Sequence, residues 1–341
     1  MTEKQYGGAS TFGLKNKALQ NVSTNQAKIA SESKKSREES DEYDEISQEE
    51  IEKLKKAGTI AVQAIKFARG FIKKDMPLIE ISEKIEAKII ELGGKPAFPV
   101  TLSINEVAAH STPSFNDSSL AHGLLKVDLG VHIDGYVADT AFSLDLENSE
   151  ENRKLIESAE KALKEATEYV SASKNISEIG KIIERNIKSF NFQPVSNLSG
   201  HSIEKYNLHA GTTIPNYDNS QQKPIGQGVF AIEPFSTNGL GEVRDGRLSG
   251  IYHLEKEGNV RDSFSREVLS FIKEEYSTLP FCSRWIYKKF GARGLLALKR
   301  IEEASLLHHY PQLVETGKGK VAQAEHTIIL SEKEKIITTK N

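Results

Sequence analysis

The feature that most constrains the fold of this chain is a run of alternating residues with Asp134-Gly135 at its centre. An Asp-Gly pair between two alternating segments is a strong signal for a two-residue β-hairpin turn. Such a turn places Ile133 opposite Tyr136 and, counting back along both strands, Gly130 opposite Asp139. The sequence therefore predicts a hairpin together with its register.

This register brings two carboxylates together. Asp128 lies two residues from Gly130 on the same face of its strand, so it is the diagonal neighbour of Asp139. The flanking residues are mainly valine, leucine and alanine, and a buried carboxylate is costly unless it meets a positive group or shares a proton. We therefore expect a divalent cation at this pair. The alternative is two aspartates on a solvent-exposed face.

Three further residues extend the candidate ligand set. Glu233 ends the strand-like segment 228–232, Glu325 precedes a β-branched run, and His201 follows another strand-like piece. Each alone has an ordinary structural interpretation, but together with the aspartates they make four carboxylates and one imidazole. Such a set neutralises two divalent ions, and its oxygen and nitrogen donors suit Mn, Fe, Co or Zn better than Ca. Water held between two such ions becomes a hydroxide nucleophile near neutral pH.

The charge and composition exclude several classes of protein. The 341 residues include 45 Lys plus Arg and 48 Asp plus Glu, a net charge of −3, which argues against a basic nucleic-acid coat protein or a polybasic membrane binder. With one cysteine, Cys282, no internal disulfide is possible, and we find neither a signal peptide nor an apolar run long enough to span a membrane. We therefore expect a cytoplasmic protein, with no membrane or DNA partner.

The first 46 residues differ from the rest of the chain. Few of them are large and apolar, and between Ser31 and Glu50 nine acidic residues stand against three basic ones. Such a segment buries too little apolar surface to offset its ordering entropy, so residues 1–46 are predicted to be a disordered charged tail. Its two interpretations are a docking arm, for example for the ribosome, and a solvated tail.

Residues 47–341 are predicted to form the catalytic domain, which begins at a capping box, Ser47–Glu50. Two amphipathic helices look duplicated, because Ile81, Ile85, Glu86 and Ile89 match Ile179, Ile183, Glu184 and Ile187 at a constant offset. The repeat predicts two similar halves, each with helices and strands. A stretch of short helical patterns from about 250 to 309 predicts a helical insertion that shapes the substrate site. A DNA-binding module is the weaker alternative, because the stretch has no concentrated basic face.

These residues together resemble the type 2 methionine aminopeptidases, which are dinuclear-metal "pita-bread" hydrolases of peptidase family M24. The resemblance covers about residues 47–341, including the stretches Asn105–His110, Tyr206–Gly211, Ala324–Ile328 and Leu279–Trp285. It implies an α+β pita-bread fold with pseudo-twofold repeated halves and a helical, winged-helix-like insertion. The implied activity is removal of the initiator methionine from nascent proteins and peptides, by attack of a metal-bridging hydroxide on the first peptide bond.

The resemblance also implies a role for individual residues. Asp128 resembles a terminal ligand of one metal, Asp139 and Glu325 resemble bridging ligands, and His201 and Glu233 resemble ligands of the second metal. Glu233 is also the expected proton shuttle. His110 resembles the histidine at the substrate amide, and His209 resembles the one at the scissile carbonyl. Phe98, Leu208 and Tyr310 match positions around the methionine side chain, and ordinary core packing is the alternative for these three. Both histidines are of a type that can donate to a developing oxyanion.

Three positions depart from the family pattern. Ser111 stands where tyrosine is usual, Ala324 where phenylalanine is frequent, and Gln312 where a second proline follows Tyr310-Pro311. None of them removes a ligand, so their expected effect is on pocket shape and rate. His132 lies beside the hairpin turn and is expected to be exposed to solvent.

Two other functions stay open on the ligands alone. Prolidases and Xaa-Pro aminopeptidases carry the same metal constellation, but they have a large additional N-terminal domain, where this chain has only the predicted tail. A non-catalytic RNA- or protein-binding member of the fold is expected to lack ligands, whereas all five candidates are present here. We therefore expect a monomeric methionyl aminopeptidase that holds two divalent ions (Co, Mn, Fe or Zn) and acts on nascent polypeptide N-termini.

Overall fold

The computed structural model of this chain describes residues 46–332 and 334–340. The predicted tail lies outside these ranges except for its last residue, Ile46. The first helix, Gln48–Phe71 (α1), is capped by Ser47, whose hydroxyl accepts from the backbone N–H of Glu50. The Glu50 carboxylate in turn accepts from the backbone N–H of Ser47 at 2.9 Å. The predicted capping box is therefore confirmed.

The described residues contain five further helices and sixteen strands. The helices are Leu78–Glu91 (α2), Glu150–Tyr169 (α3), Ile176–Lys188 (α4), Ser263–Tyr276 (α5) and Ser283–Glu303 (α6). The strands are Lys95–Pro96 (β1), Thr101–Ile104 (β2), Val107–Ala109 (β3), Leu124–Ile133 (β4), Tyr136–Asp145 (β5), Gln193–Pro194 (β6), Ser199–Ile203 (β7), Thr213–Pro215 (β8), Gly228–Ile232 (β9), Phe235–Thr237 (β10), Val243–Leu254 (β11), Phe281–Cys282 (β12), Leu307–Glu315 (β13), Val321–Gln323 (β14), His326–Leu330 (β15) and Lys335–Ile337 (β16).

The predicted hairpin is strands β4 and β5. Ile133 lies opposite Tyr136 and Gly130 opposite Asp139, as the turn chemistry predicts. Asp134 and Gly135 both have positive φ, 51° and 88°, which is the requirement of a type I′ turn. The register prediction is therefore confirmed.

The first half of the fold packs α1 and α2 against the sheet β1-β4-β2, which β5 extends from β4. Val127, Leu129 and Ala138 point toward these helices and belong to one buried apolar cluster. Because successive side chains of a strand alternate between faces, Asp128 and Asp139 project to the opposite side of the sheet. The helices thus cover one face, and the candidate ligands occupy the other.

The second half repeats this plan. Helices α3 and α4 pack against the sheet β16-β15-β9-β7-β8, with Phe230 and Ile232 in the core beneath them. His201 of β7 pairs with Ala231 of β9, which belongs to a different apolar cluster on the face away from these helices. The duplicated isoleucines occupy equivalent places, because Ile85 and Ile183 are both fully buried on α2 and α4. The predicted pair of similar halves is confirmed.

Hydrogen bonds join the two halves directly behind the candidate ligands. The backbone N–H of Glu325 donates to the carbonyl of Ala141 at 3.1 Å. The hydroxyl of Thr327 donates to the carbonyl of Asp139 at 2.8 Å, and that of Thr140 donates to the carbonyl of Glu325 at 2.9 Å. These bonds fix the strand that carries Asp139 against the segment that carries Glu325.

The segment 250–309 adds a third apolar cluster, built mainly from α5, α6 and the neighbouring strand ends. Helix α6 is interrupted at Gly291, whose φ of 63° and ψ of −159° are not helical. Phe281 and Cys282 form the short strand β12, and helix α6 begins directly after it at Ser283. Among the described residues, no helix combines the length and the apolar character that crossing a membrane requires.

Candidate metal centre and substrate pocket

The five candidate ligands line one cavity between the two halves. Asp139, His201 and Glu325 each offer one ligating atom within 4.8 Å of the others. His201 Nε2 lies 3.8 Å from Asp139 Oδ2 and 3.6 Å from Glu233 Oε1. Asp128 completes the group as the strand neighbour of Asp139, and its Oδ2 accepts from Gln323 Nε2 at 3.4 Å.

Several ligating atoms in this group lack a partner. Within the described residues, Asp128 Oδ1, Asp139 Oδ1 and Glu325 Oε2 are buried without a hydrogen bond. Among the residues that the structure describes, His201 is the one salt-bridge neighbour of Asp139 and of Glu233. Buried carboxylate oxygens are normally paired, so these atoms are oriented to receive a group other than a protein side chain.

The pKa values of these side chains also indicate that the protein alone does not compensate the charge of the carboxylates. Burial raises the pKa of Asp128 to about 7. Burial, followed by the charges of neighbouring carboxylates, raises the pKa values of Asp139, Glu233 and Glu325 well above their ordinary range. Burial lowers the pKa of His201 to about 4, so this imidazole is neutral and does not compensate their charge.

The arrangement fits divalent metal ions. Four ionised carboxylates carry the charge that two divalent cations neutralise, and a neutral imidazole is a common ligand of such ions. The unpartnered oxygens of Asp128, Asp139 and Glu325 supply the lone pairs. The residues present are therefore compatible with a mixed oxygen and nitrogen site of the kind that Mn, Fe, Co and Zn occupy.

His110 lies at the wall of this cavity in an unusual conformation. It follows strand β3 with a φ of 57°, which residues other than glycine rarely adopt. Its Nδ1 lies 3.2 Å from the carbonyl oxygen of Pro311. A carbonyl only accepts, so Nδ1 carries the proton, and burial lowers the pKa of the ring and keeps it neutral. The Nε2 atom of His110 therefore bears a lone pair.

His209 lines the same cavity, beside the candidate ligand His201. Its ring meets that of His201 edge to face, with centroids 4.5 Å apart. Burial and then the neighbouring His201 lower its pKa to about 3, so the ring is neutral and has one N–H to donate. The two histidines are thus not equivalent. Neutral His110 offers an acceptor at Nε2, where the sequence predicted a donor for both.

The residues predicted to line a methionine pocket, Phe98, Leu208 and Tyr310, all line the same cavity, which has a volume of about 310 Å³. Phe98 packs across the β4 strand at Gly130, where a Cβ atom would collide with the phenylalanine ring. Tyr310 packs edge to face on His110, with ring centroids 5.1 Å apart. An apolar wall therefore lies beside the ligand group.

Among the pocket residues that were not predicted, Ile251 lies on an irregular strand. Ile251 and Pro280 line the cavity. Strand β11 shifts its register against β13 between Leu248 and Ile251. At this bulge the hydroxyl of Ser249 donates to the carbonyl of Tyr310 at 2.7 Å. No local sequence signal marks the bulge beyond Gly250, whose φ is 77°.

One expectation about an individual residue needs correction. His132 is buried, with 6% of its surface exposed, because it packs edge to face on Tyr206 and accepts from the backbone N–H of Gly135. Ala324 is buried in the core of the second half, directly before Glu325, and its effect on the pocket and the rate stays a prediction. Of the three departures, Ser111 and Gln312 lie beside His110 and Pro311 and contact each other.

With this geometry established, comparison with known proteins identifies the family. The model of metallopeptidase family M24 matches residues 52–332. The chain belongs to metallopeptidase family M24. As in other members of this family, the expected cofactor is divalent metal, and the buried Asp139, His201 and Glu325 are compatible with it.

The chain is similar to individual proteins over most of its length. It is 43% identical to a methionine aminopeptidase of Methanocaldococcus jannaschii, over 86% of this chain and 99% of that protein. Solved structures of other proteins share the fold. A thermophilic Arx1 has a TM-score of 0.73 at 14% identity, over 86% of this chain and 91% of that one. A methionine aminopeptidase of Thermotoga maritima has a TM-score of 0.63 at 20% identity, over 87% and 99%. The predicted family and pita-bread fold are confirmed.

Proposed function

We propose that this chain removes the N-terminal methionine from proteins and peptides in a metal-dependent reaction. The observation that carries the proposal is the meeting of four carboxylates and His201 in one cavity that is also lined by the apolar residues Phe98, Leu208 and Ile251. Similarity to a methionine aminopeptidase along almost its whole length supports the same activity.

The metal-holding residues of the proposal are Asp128, Asp139, His201, Glu233 and Glu325. Their unpartnered oxygens and the neutral imidazole suit two divalent ions, and Co, Mn, Fe and Zn are all compatible with the donor set. When bound, such ions supply positive charge that acidifies water and polarises a carbonyl. The segments joined by the Glu325–Ala141 backbone bond keep the ligands of the two halves together.

Glu233 is the proposed proton carrier. Its side chain is 14% exposed, so one edge reaches the cavity, and its Oε1 lies 3.6 Å from His201 Nε2. In the proposed reaction, Glu233 accepts a proton from the attacking water and returns it to the departing amine nitrogen. The water oxygen forms the new bond to the scissile carbonyl carbon as the carbon–nitrogen bond breaks, which releases methionine and the shortened peptide.

The two histidines are proposed to hold opposite ends of the scissile amide. His209 has an N–H available and suits the carbonyl oxygen, where negative charge develops. His110 has its proton committed to Pro311, so its Nε2 suits the amide N–H of the second residue. This division of roles follows from the tautomer that a backbone carbonyl imposes on His110.

Phe98, Leu208 and Tyr310 are proposed to bind the methionine side chain. A cavity of about 310 Å³ with these residues and Ile251 on its wall accommodates a long, unbranched apolar side chain. Methionine meets that requirement, because it has flexible torsions and a thioether that packs well on aromatic rings. The segment 250–309 is proposed to be an insertion that shapes this pocket, through Ile251 and Pro280.

Nascent polypeptide N-termini are the proposed natural substrates. Initiator methionine is present on newly made chains, so we place the reaction in the cytoplasm, where such chains are made. The association of residues 1–46 with the ribosome, and a monomeric state, stay predictions.

A panel of short peptides tests the activity. Protein loaded with Mn or Co is expected to release the first residue from Met-Ala-Ser, and also from norleucine-Ala-Ser, which keeps the unbranched shape without sulfur. Ile-Ala-Ser is the matched control with a branched side chain and is expected to be a poor substrate. Cleavage confined to Gly-Pro or other Xaa-Pro peptides would identify a prolidase-like enzyme. No turnover of any peptide would leave a binding protein of the same fold.

A further inference from the structure

Two residues that depart from the family pattern contact each other. The side-chain N–H of Gln312 donates to the hydroxyl oxygen of Ser111, with Nε2 and Oγ 3.1 Å apart. The other end of the same amide, Oε1, accepts from Arg247 Nε, also at 3.1 Å. Gln312 is buried, with 7% of its surface exposed. Both ends of a buried amide are thus satisfied by one partner each.

This contact runs beside a bond of the proposed active site. Ser111 directly follows His110, and Gln312 directly follows Pro311. The Nδ1 atom of His110 donates to the carbonyl of Pro311 at 3.2 Å. The segment with His110 and Ser111 is therefore joined to the segment with Pro311 and Gln312 by two bonds. One bond runs through the His110 imidazole, and the other runs through the Gln312 side chain.

His110 needs external support for its position. Its φ of 57° is rarely adopted by residues with a side chain, and such conformations persist only where the surroundings hold them. Backbone contacts on either side contribute, because the N–H of Leu102 donates to the carbonyl of Ser111 and Ala109 pairs with Leu313 of β13. The side chains of Ser111 and Gln312 join the same two segments beyond the end of this strand pairing.

An irregularity in strand β11 brings Arg247 to this place. Asp245 pairs with Leu313 and Leu248 pairs with Pro311, so Gly246 and Arg247 together face one residue, Gln312. Such a bulge re-aims a side chain, and bulges are common next to active sites. At Gly246 a Cβ atom would come within 2.7 Å of the Val314 side chain, which explains glycine at this point.

We propose that Ser111, Gln312 and Arg247 form a brace that positions His110, by holding the Pro311 carbonyl against His110 Nδ1. The brace residues are positioning residues, since their side chains act through His110. The inference rests on the proposed function only for its kinetic consequence. The geometric part concerns the His110–Pro311 bond and holds for any reaction at this site.

Ser111→Ala removes the acceptor of the Gln312 amide with little change in volume. On Met-Ala-Ser we expect kcat to fall about 3- to 10-fold, which is the factor that the net free energy of one hydrogen bond corresponds to. KM is expected to stay within about twofold, because His110 is assigned to the scissile amide and not to the methionine side chain. Ser111→Thr keeps the hydroxyl and is the matched control, with kcat expected near that of the wild type.

A double-mutant cycle separates positioning from a general loss of structure. In a His110→Ala background, Ser111→Ala is expected to have no further effect on kcat, because the residue that the brace positions is absent. An undiminished 3- to 10-fold loss in that background would overturn the proposal. Equal kcat values for Ser111→Ala and the wild type would overturn it as well.

A readout that needs no turnover keeps the two proposals distinguishable. The His110 Nδ1 proton is expected to give a slowly exchanging resonance in nitrogen-15 histidine-labelled protein, identified by its loss in His110→Ala. In Ser111→Ala this proton is expected to exchange faster with solvent, and in Ser111→Thr at the wild-type rate. An unchanged exchange rate in Ser111→Ala would refute the brace even if the protein releases methionine normally. Faster exchange in a protein that releases none would refute the proposed function alone.

Discussion

The buried ion pair between Glu86 and Arg284 makes a quantitative prediction about how the segment 250–309 is held to the first half. Glu86 lies on α2 and receives two bonds from the Arg284 guanidinium at 2.7 and 2.8 Å and one from the Trp285 indole at 2.9 Å. Arg284 Nε donates to the carbonyl of Pro113 at 3.1 Å. Arg284 is fully buried and Glu86 is 6% exposed. The change that we consider is Glu86→Gln.

The expected loss in the free energy of unfolding follows from the charge that remains on Arg284. Glu86→Gln leaves the Arg284 charge buried without its carboxylate, and breaking a buried pair in this way costs about 3–5 kcal/mol. The matched control is Glu83→Gln. Glu83 pairs with Lys288 at 2.8 Å between the same two helices, but these side chains are 37% and 52% exposed. An exposed pair of this kind is worth about 0–1 kcal/mol.

Thermal unfolding measures the difference. At about 2 °C per kcal/mol for a chain of this size, Glu86→Gln is expected to lower Tm by about 6–10 °C, and Glu83→Gln by about 2 °C or less. Replacing both members, as in Glu86→Met with Arg284→Met, is expected to be less damaging than either single change, because no charge is left buried alone. Equal Tm shifts for Glu86→Gln and Glu83→Gln would refute the reasoning.

Other predictions concern the pocket and the metal centre. Gly130→Ala is expected to displace the Phe98 ring, which raises KM for Met-Ala-Ser and lowers the free energy of unfolding by about 1–3 kcal/mol. The control is Gly70→Ala in α1, which has open space around it and is expected to raise Tm slightly. Without metal, the stability of the wild type relative to Asp128→Asn is expected to fall as pH rises from about 4 toward 7, because Asp128 has a pKa of about 7 in the folded chain and a lower one in the unfolded chain. Melting curves of both proteins in chelator at pH 5 and pH 7 test this, and a Tm difference that is equal at the two pH values would contradict it.

The elements that could be predicted are those with local chemical signals. The Asp134-Gly135 turn sets the pairing of its own strands, so the positions of Asp128 and Asp139 follow by counting. The apolar periodicity of α2 and α4 predicts their buried faces in the same way. Glu325 and Glu233 could be proposed as ligands because each is a charge among apolar strand residues.

The remaining features depend on contacts between distant residues. His132 is buried because Tyr206 packs on it, and nothing near residue 132 indicates that contact. Ile251 reaches the pocket through a bulge whose register depends on β13, more than fifty residues along the chain. Glu86 is a charged residue on the apolar face of α2, and this position in the sequence indicates that it has a partner in the core. Only the tertiary structure identifies that partner as Arg284.

The central claim is that the buried carboxylates hold two metal ions on which removal of methionine depends. The most direct test adds Mn²⁺ or Co²⁺ to metal-free protein and measures bound ions per chain together with methionine released from Met-Ala-Ser. We predict that the wild type reaches two ions per chain with full activity. Asp139→Asn is predicted to bind fewer ions and release little methionine, and the exposed control Asp75→Asn to match the wild type. Full methionine release by Asp139→Asn, or by the wild type in excess chelator, would contradict the account.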